Sequence, residues 1–279
     1  MIDFPNCKIN LGLNILRKRT DGYHDLETVF YPIALHDTLE IIENKEPNKN
    51  HGMPFTTSGF SVPGMATSNI CVKAYKLLRK KFPKLPLIKM HLHKAVPLGA
   101  GLGGGSADAA FVLKILNNLF NLGLTIPQLM EFADELGSDC PFFILNKPCF
   151  ATGRGEILEE INLDLSDYKI AIVNPGIHVT TGDVFSKMKP VVPEKSIKEI
   201  ITLPIKKWKA ELQNDFEKII FKQYREIVDI KDSFYSDGAI YASMSGSGST
   251  VYGIFKKDQK IKLSFPDHYF VRELTGQLQ

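Results

Sequence analysis

The sequence predicts a globular protein that mixes strands and helices and is large enough for two domains. With 279 residues and 44% hydrophobic content, the chain can bury a sizeable core and exceeds the common size of one domain. Residues 6–15 alternate between apolar and polar side chains, as a half-buried strand does. Residues 97–110 run from the end of another alternating strand, through a glycine-rich stretch, into an apolar helix.

The first strand carries a polar face that is unusual. Four aliphatic side chains share one face, and the other face carries Lys8, Asn10, Gly12 and Asn14. Solvent exposure would usually explain a single lysine on a strand. Asparagine, however, is disfavoured inside strands, so Lys8 and Asn10 are candidates for contact with a ligand.

Local patterns predict the other elements. Residues 31–42 are predicted as a strand, and helical spacing predicts a helix from about residue 70 until Pro83. Asn69 precedes this helix and is a capping residue type. A strand is predicted at 88–95, a helix after the capping box Thr125–Gln128, and a strand at 169–173. The apolar run at 141–145 is predicted to be a buried strand.

Charge and cysteine content limit the classes of function. The net charge of +3, from 34 basic and 31 acidic residues, gives no basic footprint for nucleic acid. Cys7, Cys71, Cys140 and Cys149 show no zinc spacing, and the N-terminus lacks a signal-peptide pattern. No apolar run reaches membrane-spanning length. We expect a cytoplasmic protein, a monomer or homodimer, that binds small molecules and neither nucleic acid nor membrane.

The glycine-rich stretch indicates a phosphate-binding loop. Glycines let a ligand approach the main chain, and the N–H groups that open the following helix attract anions. A simple turn would need only one or two glycines. The dinucleotide fingerprint requires a second strand after the helix, a Walker A loop requires Gly-Lys-Ser/Thr, and a protein-kinase loop requires a nearby Val-Ala-Ile-Lys strand. None of these patterns is present.

The remaining pattern, Pro-x-x-x-Gly-Leu-Gly-Gly-Gly-Ser-x-x-Ala-Ala at 97–110, resembles the ATP loop of the galactokinase, homoserine kinase, mevalonate kinase and phosphomevalonate kinase (GHMP) superfamily. Lys-Ile-Asn-Leu at 8–11 resembles its first motif, and the Gly-Ser-Gly-Ser region at 242–254 resembles its third. Asp-Gly-Tyr-His at 21–24 and Gly-Ser-Asp-Cys-Pro-Phe-Phe at 137–143 are similar to segments of the branch that acts on 4-diphosphocytidyl-2-C-methyl-D-erythritol.

This resemblance implies a two-domain α+β fold. Residues 1–154 would form an N-terminal ATP-binding domain of the ribosomal-protein-S5-like type, and residues 155–279 a ferredoxin-like C-terminal domain. The implied reaction is phosphorylation of the tertiary 2-hydroxyl of 4-diphosphocytidyl-2-C-methyl-D-erythritol, in the non-mevalonate isoprenoid pathway. ATP with Mg²⁺ would supply the phosphoryl group.

The resemblance also implies the site residues. Asp139 would be the catalytic acid-base group, with Lys8 as its partner. Substrate contacts would come from Asn10, Tyr23, His24, Phe30, Thr181 and Phe185. ATP contacts would come from Asn69, Lys94, Pro97, Leu98, Gly99, Ala100, Gly101, Leu102, Gly103, Gly104, Gly105, Ser106 and Ala107. Because Ala107 stands where many relatives carry a second serine, the protein ligands of Mg²⁺ are unassigned.

Structural explanations compete with these roles. Tyr23 and Phe30 could serve only in packing, and Asp139 could cap a turn. His91 and His93 share one face of a strand and could hold a metal, but no third ligand is nearby in the sequence, which favours simple solvent exposure.

For the whole chain, two other functions remain as alternatives. One is a GHMP kinase for another alcohol, such as homoserine or mevalonate, and the pair Tyr23-His24 argues against it. The other is a non-catalytic GHMP-like binding protein, which would be expected to lose the base. The presence of both Lys8 and Asp139 disfavours that alternative.

Overall fold

The structure, a computed structural model, describes residues 1–45, 53–262 and 264–276. It confirms a fold of both strands and helices. The strands are β1 (Ile2–Asp3), β2 (Asn6–Lys18), β3 (His24–His36), β4 (Thr38–Glu43), β5 (Phe55–Gly59), β6 (Ile88–Lys94), β7 (Cys149–Thr152), β8 (Ile157–Glu160), β9 (Tyr168–Asn174), β10 (Tyr241–Met244), β11 (Val251–Lys256) and β12 (Phe270–Thr275).

The α-helices are α1 (Ile70–Lys81), α2 (Gly104–Leu119), α3 (Ile126–Asp134), α4 (Cys140–Leu145), α5 (Thr181–Lys187), α6 (Ile197–Ile200), α7 (Trp208–Glu211), α8 (Glu217–Gln223) and α9 (Arg225–Ser236). Short 3-10 helices lie at Ala66–Ser68 and Ile205–Lys207. In the described ranges, no helix combines the length and apolar character needed to cross a bilayer.

The chain divides into two compact units, each assembled from several segments. Unit 1 consists of Met1–Cys7, Leu35–Leu98 and Gly103–Asn146. Unit 2 consists of Lys8–Ala34, Gly99–Leu102 and Lys147–Gln279. The expected boundary after residue 154 does not coincide with this division, because most of β2 and β3 pack with the C-terminal half of the chain. The domains at 1–154 and 155–279 stay a prediction.

Unit 1 contains a four-stranded sheet in the order β1-β4-β6-β5. Its pairs are antiparallel except for the parallel pair β5–β6. The strand predicted at 88–95 is confirmed as β6, which ends at Lys94 and whose Ile88, Met90 and Leu92 are buried. Helix α2 packs against α1, α3, α4 and β4. The helix after the Thr125–Gln128 capping box is confirmed as α3.

Unit 2 contains two four-stranded sheets, in the orders β2-β3-β7-β8 and β10-β11-β9-β12. The alternating strand predicted at 6–15 is confirmed within β2. Both of its faces are buried, however, since Lys8 and Asn10 are almost as inaccessible to solvent as the neighbouring Ile9 and Leu11. The polar face of β2 is therefore internal, and its polar groups need partners within the protein or from a ligand.

Two sequence predictions of local structure are wrong. The run at 141–145 is not a strand but part of helix α4, which packs against α2 and α3. A short apolar run fits either a buried strand or a buried helix by pattern alone. The strand predicted at 31–42 is two strands, β3 and β4, which are separated at Asp37 and belong to different sheets.

Candidate functional site

The glycine-rich stretch leads into the first turn of α2. Gly103 is the N-cap residue of α2 with a φ of 70°, and Gly101 before it has a φ of 78°. Glycine adopts such angles without the strain that other residues incur. The first N–H groups of a helix have no partner within the helix and carry the positive end of its dipole. The turn that begins at Gly104 can therefore bind phosphate.

The predicted ATP-contacting residues of this stretch differ in their exposure. Leu98, Gly99 and Gly105 are exposed, and the partly exposed residues are Pro97, Gly101, Gly103, Gly104 and Ser106. Ala100, Leu102 and Ala107 are buried. Contact of these three buried residues with ATP stays a prediction.

The loop between β10 and β11 packs against the glycine-rich stretch within unit 2. Ser245 Oγ donates to the Gly101 carbonyl oxygen at 2.8 Å, and the Thr250 N–H donates to the Ala100 carbonyl oxygen at 3.3 Å. A Cβ added to Gly101 would lie 2.0 Å from the Ser245 carbonyl oxygen. This close approach requires glycine, and it confirms that the third motif packs on the loop.

Lys8 is buried beside this contact. Its Nζ donates to Asn10 Oδ1 at 2.6 Å and to the Gly101 carbonyl oxygen at 3.4 Å, and it lies 4.9 Å from the centre of the Phe30 ring. Asn10 Nδ2 donates to Thr28 Oγ1 at 3.0 Å. The structure thus brings Lys8, Asn10 and Phe30 together. Asn10 and Phe30, both neutral, help to orient the ammonium.

Asp139 lies in unit 1, between α3 and α4, and is partly exposed. It occupies the N-cap position of α4 but makes no capping hydrogen bond with its side chain. The alternative that Asp139 serves as a cap therefore has no support. Its expected partnership with Lys8 joins residues of two different units and stays a prediction.

Aromatic side chains of unit 2 form a stacked pair. The ring centres of His24 and Phe185 are 5.1 Å apart, with 26° between their planes. Burial lowers the pKa of His24, and the charge of Lys18 lowers it further. A neutral imidazole both donates and accepts a hydrogen bond. The Tyr23 ring is 57% exposed, and the Arg154 guanidinium lies 5.3 Å from its centre. Flat faces and a polar edge suit a nucleobase.

Helix α5 carries two of the predicted substrate contacts. Thr181 and Phe185 are four residues apart, so they share one face of the helix. The Thr181 hydroxyl forms a hydrogen bond of 2.9 Å with the Ser247 hydroxyl, in the loop between β10 and β11. Helix α5 thereby connects this loop with the His24–Phe185 stack.

Two other predicted ATP contacts have partners inside unit 1. Asn69 is the N-cap residue of α1, and its Oδ1 accepts the N–H of Cys71 at 2.9 Å. The interpretation of Asn69 as a cap is confirmed. The Lys94 ammonium is buried in ion pairs with Asp37 and Asp108. Contact of Asn69 and Lys94 with ATP stays a prediction.

Metal binding by resident ligands has no support in the described part of the chain. No group of three or more His, Cys, Asp or Glu side chains is placed to hold an ion there. His91 and His93 instead form hydrogen bonds with the hydroxyl of Ser58, both at 2.9 Å. Mg²⁺ that arrives with ATP takes most of its ligands from phosphate and water.

Sequence patterns did not single out Thr28, Arg154, Asp37 or Asp108. Asp108 had a local signal, because it is a carboxylate between alanines on the apolar surface of α2, where an unpaired charge would be costly. The other three have no such signal. The partners of Thr28 and Asp37 are distant in the sequence, and Arg154 pairs with the nearby Glu156 as well as lying over the Tyr23 ring.

Comparison with known proteins shows the family of the chain. The model of the GHMP kinases N terminal domain matches residues 69–147, and the model of the GHMP kinases C terminal domain matches residues 197–269. The 4-diphosphocytidyl-2-C-methyl-D-erythritol kinase of Bacteroides fragilis is 53% identical over 95% of this chain and 96% of its own length. The same kinase of Azobacteroides pseudotrichonymphae is 49% identical over 97% of this chain and 100% of its own length.

A solved structure agrees with these relatives. The crystal structure of a 4-(cytidine 5'-diphospho)-2C-methyl-D-erythritol kinase superposes with a TM-score of 0.76 at 30% identity, over 91% of this chain and 90% of the other. The predicted fold class is confirmed by this match and by the family models. The chain belongs to the GHMP kinases, within their 4-diphosphocytidyl-2-C-methyl-D-erythritol kinase branch, and is an ATP-dependent phosphotransferase.

Proposed function

We propose that this chain transfers the γ-phosphoryl group of ATP to the tertiary 2-hydroxyl of 4-diphosphocytidyl-2-C-methyl-D-erythritol. The proposal rests on which side chains occur together in unit 2. A buried lysine, oriented by Asn10 and Phe30, occurs in the same compact unit as the His24–Phe185 stack and Tyr23. A substrate that carries both a hydroxyl nucleophile and a cytosine would use both features.

ATP would be held through its phosphates by the turn that begins at Gly104. Phosphoryl transfer depends mainly on positioning and on stabilising charge at the transferring group. Backbone N–H groups at a helix N-terminus do both, because they are fixed donors that need no reorganisation. Mg²⁺ would bind with ATP and neutralise charge on the phosphate oxygens.

Asp139 would orient the acceptor hydroxyl and take its proton. A tertiary alcohol is hindered and weakly acidic, so a carboxylate in hydrogen-bond reach helps to remove its proton as the bond to phosphorus forms. Lys8 would keep Asp139 ionised and stabilise the negative charge that develops in the transition state. Family resemblance at each residue, together with the orientation of Lys8 within unit 2, supports these roles.

The cytosine would be recognised by Tyr23, His24 and Phe185. Stacking on aromatic faces provides affinity for any base, and a polar edge contact provides discrimination. His24 suits the edge contact, because its lowered pKa keeps the ring neutral. Asn10 and Thr181 would complete the contacts to the substrate.

We also propose a cytoplasmic location and a monomeric or homodimeric state. The four cysteines are buried free thiols, which fits a reducing compartment. Small molecules would be the binding partners, with neither nucleic acid nor membrane involved.

A coupled assay of ADP release tests the proposed reaction. We expect turnover with 4-diphosphocytidyl-2-C-methyl-D-erythritol and little with homoserine or mevalonate. Preference for another alcohol would contradict the proposed substrate, and nucleotide binding without turnover on any alcohol would contradict catalysis.

The variant Asp139→Ala tests the proposed base. It should lose about 10²-fold or more in kcat, from loss of a positioned base, while calorimetry still detects ADP binding. Glu135→Ala, at an exposed acidic residue after α3, is the matched control and should retain wild-type turnover. Near-normal turnover of Asp139→Ala would show that this carboxylate is structural.

A further inference from the structure

Three charged side chains meet in the interior of unit 1. Lys94, the last residue of β6, donates from Nζ to Asp108 Oδ2 at 2.8 Å and also pairs with Asp37. The exposed fractions of these side chains are 3% for Lys94, 3% for Asp108 and 0% for Asp37. We refer to them as the Asp37–Lys94–Asp108 cluster.

The cluster is bonded to the chain where it enters the glycine-rich stretch. Asp37 Oδ1 accepts the N–H of Ala95 at 2.7 Å and the N–H of Val96 at 2.9 Å. These two residues connect the end of β6 to Pro97. One carboxylate therefore fixes both the lysine of β6 and the backbone that follows it.

The cluster is also bonded to the chain where it leaves the glycine-rich stretch. Asp108 lies in the second turn of α2, one turn after Gly104. A Cβ added to Gly104 would lie 3.1 Å from Val96 Cγ1 and 3.4 Å from Lys94 Nζ. The first turn of α2 thus packs directly on the cluster, and a side chain at position 104 would require Val96 to shift by a few tenths of an ångström.

Two carboxyl groups face one ammonium in the cluster, so its charges balance when one carboxyl group holds a proton. Burial raises the pKa of Asp108 to about 8, against the attraction of Lys94. The pKa of Lys94 is raised overall, because attraction to Asp108 and Asp37 exceeds the effect of burial. Cys71 of α1 faces the same groups, and burial raises its pKa well above the usual range. Asp108 Oδ1 lacks a hydrogen-bond partner among the described residues.

Stability alone does not explain such an arrangement. Apolar side chains of similar volume are generally as stabilising as a buried ion pair, or more so. Ionic hydrogen bonds differ from apolar packing because they fix direction as well as distance. What this cluster fixes is the backbone at both ends of the glycine-rich stretch.

We infer that Asp37, Lys94 and Asp108 are positioning residues, which hold the two ends of the glycine-rich stretch so that the N–H groups of α2 face the ATP phosphates. They act through the backbone and do not touch the nucleotide. The inference rests on the proposed role of this stretch in ATP binding. Under this inference, Lys94 affects ATP binding indirectly, through the backbone, and does not contact ATP as the family resemblance implies.

Lys94→Met and Asp37→Ala in the full chain distinguish the two roles. Positioning predicts that both variants raise the KM for ATP by at least about 10-fold, because small displacements of binding groups have effects of this size. Both should weaken ADP binding in calorimetry without any alcohol present. The KM for the alcohol should change by less than about twofold. If Lys94 instead touched ATP, Lys94→Met would weaken ADP binding while Asp37→Ala would not, and the inference would be overturned.

Conservative and control variants complete the test. Asp37→Asn keeps an oxygen for the N–H groups of Ala95 and Val96, and should recover most of the ADP affinity that Asp37→Ala loses. Lys89→Met, at an exposed lysine of the same strand β6, should bind ADP as the wild type does. If Lys94→Met does not fold, Asp108→Ala takes its place in the experiment, because this variant leaves Lys94 paired with Asp37. A folded Asp108→Ala with unchanged ADP affinity would also overturn the inference.

The outcome of this test can be distinguished from a failure of the proposed function. ADP binding in the absence of alcohol does not depend on which alcohol is phosphorylated. If the proposed substrate were wrong, the variants would still lose ADP affinity while turnover with that substrate was absent in all proteins, including the wild type.

Discussion

Two buried lysines, one in each compact unit, are held in different ways. Lys94 of unit 1 pairs with the carboxylates of Asp37 and Asp108. Lys8 of unit 2 donates to the amide oxygen of Asn10 at 2.6 Å and lies over the Phe30 ring. Both side chains are 3% exposed, so burial does not distinguish them; their surroundings do.

The difference indicates what each lysine can do. The carboxyl groups of Asp37 and Asp108 enclose the ammonium of Lys94 and neutralise it inside the protein. An amide oxygen and an aromatic ring, both neutral, contact the ammonium of Lys8, and its expected acidic partner, Asp139, is itself a candidate catalytic group. A buried lysine is thus a candidate for catalysis when its partners are candidate catalytic groups, and for architecture when structural acids enclose it.

The largest expected effect concerns Lys8. Lys8→Met keeps the apolar stem and removes the charge, so kcat should fall by about 10²-fold or more, the size seen when one charge-stabilising donor is lost. The melting temperature should change much less than in Lys94→Met, which leaves two buried carboxyl groups unpaired. Steady-state kinetics and thermal unfolding of both variants measure this. If Lys8→Met lowered the melting temperature as much as Lys94→Met does and retained turnover, the proposed difference between the two lysines would be contradicted.

Tyr23 tests whether unit 2 recognises the base. Tyr23→Ala should raise the KM of the cytidine substrate roughly 10- to 100-fold, from the value of base stacking. ATP binding and the melting temperature should hardly change, because the ring is 57% exposed. Phe4→Ala, at an equally exposed ring of unit 1, should alter neither quantity. A lower melting temperature of Tyr23→Ala with an unchanged KM would favour a packing role.

Variants of Gly101 and Gly105 test separately what folding requires and what nucleotide binding requires of the glycine-rich stretch. Gly101→Ala places a Cβ against the Ser245 carbonyl in a left-handed conformation, so the free energy of unfolding should fall by about 1–3 kcal/mol. Gly105→Ala meets no protein atom within 4 Å and should raise it by about 0.4–1 kcal/mol. Denaturant unfolding measures both.

The KM for ATP adds information about Gly105. If phosphate lies against its backbone, Gly105→Ala should raise the KM for ATP although the fold is unharmed. An unchanged KM would show that this part of α2 does not approach the nucleotide.

A further expected effect is a change in how stability depends on pH. The pKa of Asp108 is raised from 3.8 to about 8 by burial, so the folded state binds a proton that the unfolded state releases. The free energy of unfolding should therefore fall as pH rises from about 4 to about 8. Asp108→Asn has no carboxyl group that binds or releases this proton. Its stability relative to the wild type should increase across that window and level off above it, as measured by urea unfolding. Parallel curves would show that Asp108 is ionised in the fold.

Much of the molecule follows from local sequence. Alternation identifies β2 and β6, the capping box identifies α3, and the glycine-rich stretch with its apolar helix identifies α2 and the family. These features are visible because residues near one another in the chain determine them. Strand and helix periods, cap residues and glycines with positive φ all act over a few positions.

Tertiary structure decided the features that depend on distant neighbours. Residues 140–145 form a helix because α2 and α3 pack against it, although the apolar run alone suits a strand. Gly101 and Gly105 look equivalent in the sequence, and only the approach of the Ser245 carbonyl makes one of them irreplaceable.

The two lysines show the same limit. Lys8 lies on the polar face of β2, whereas Lys94 lies on the face of β6 that carries Ile88, Met90 and Leu92. Alternation therefore indicates that Lys94 is buried, but it does not identify the partners of either lysine. Residues 57 and 14 positions away place carboxylates on Lys94, whereas Asn10 and Phe30 orient Lys8. The function of a buried charge is set by what surrounds it, because electrostatic interactions in a protein interior depend on the partners that folding brings within a few ångströms.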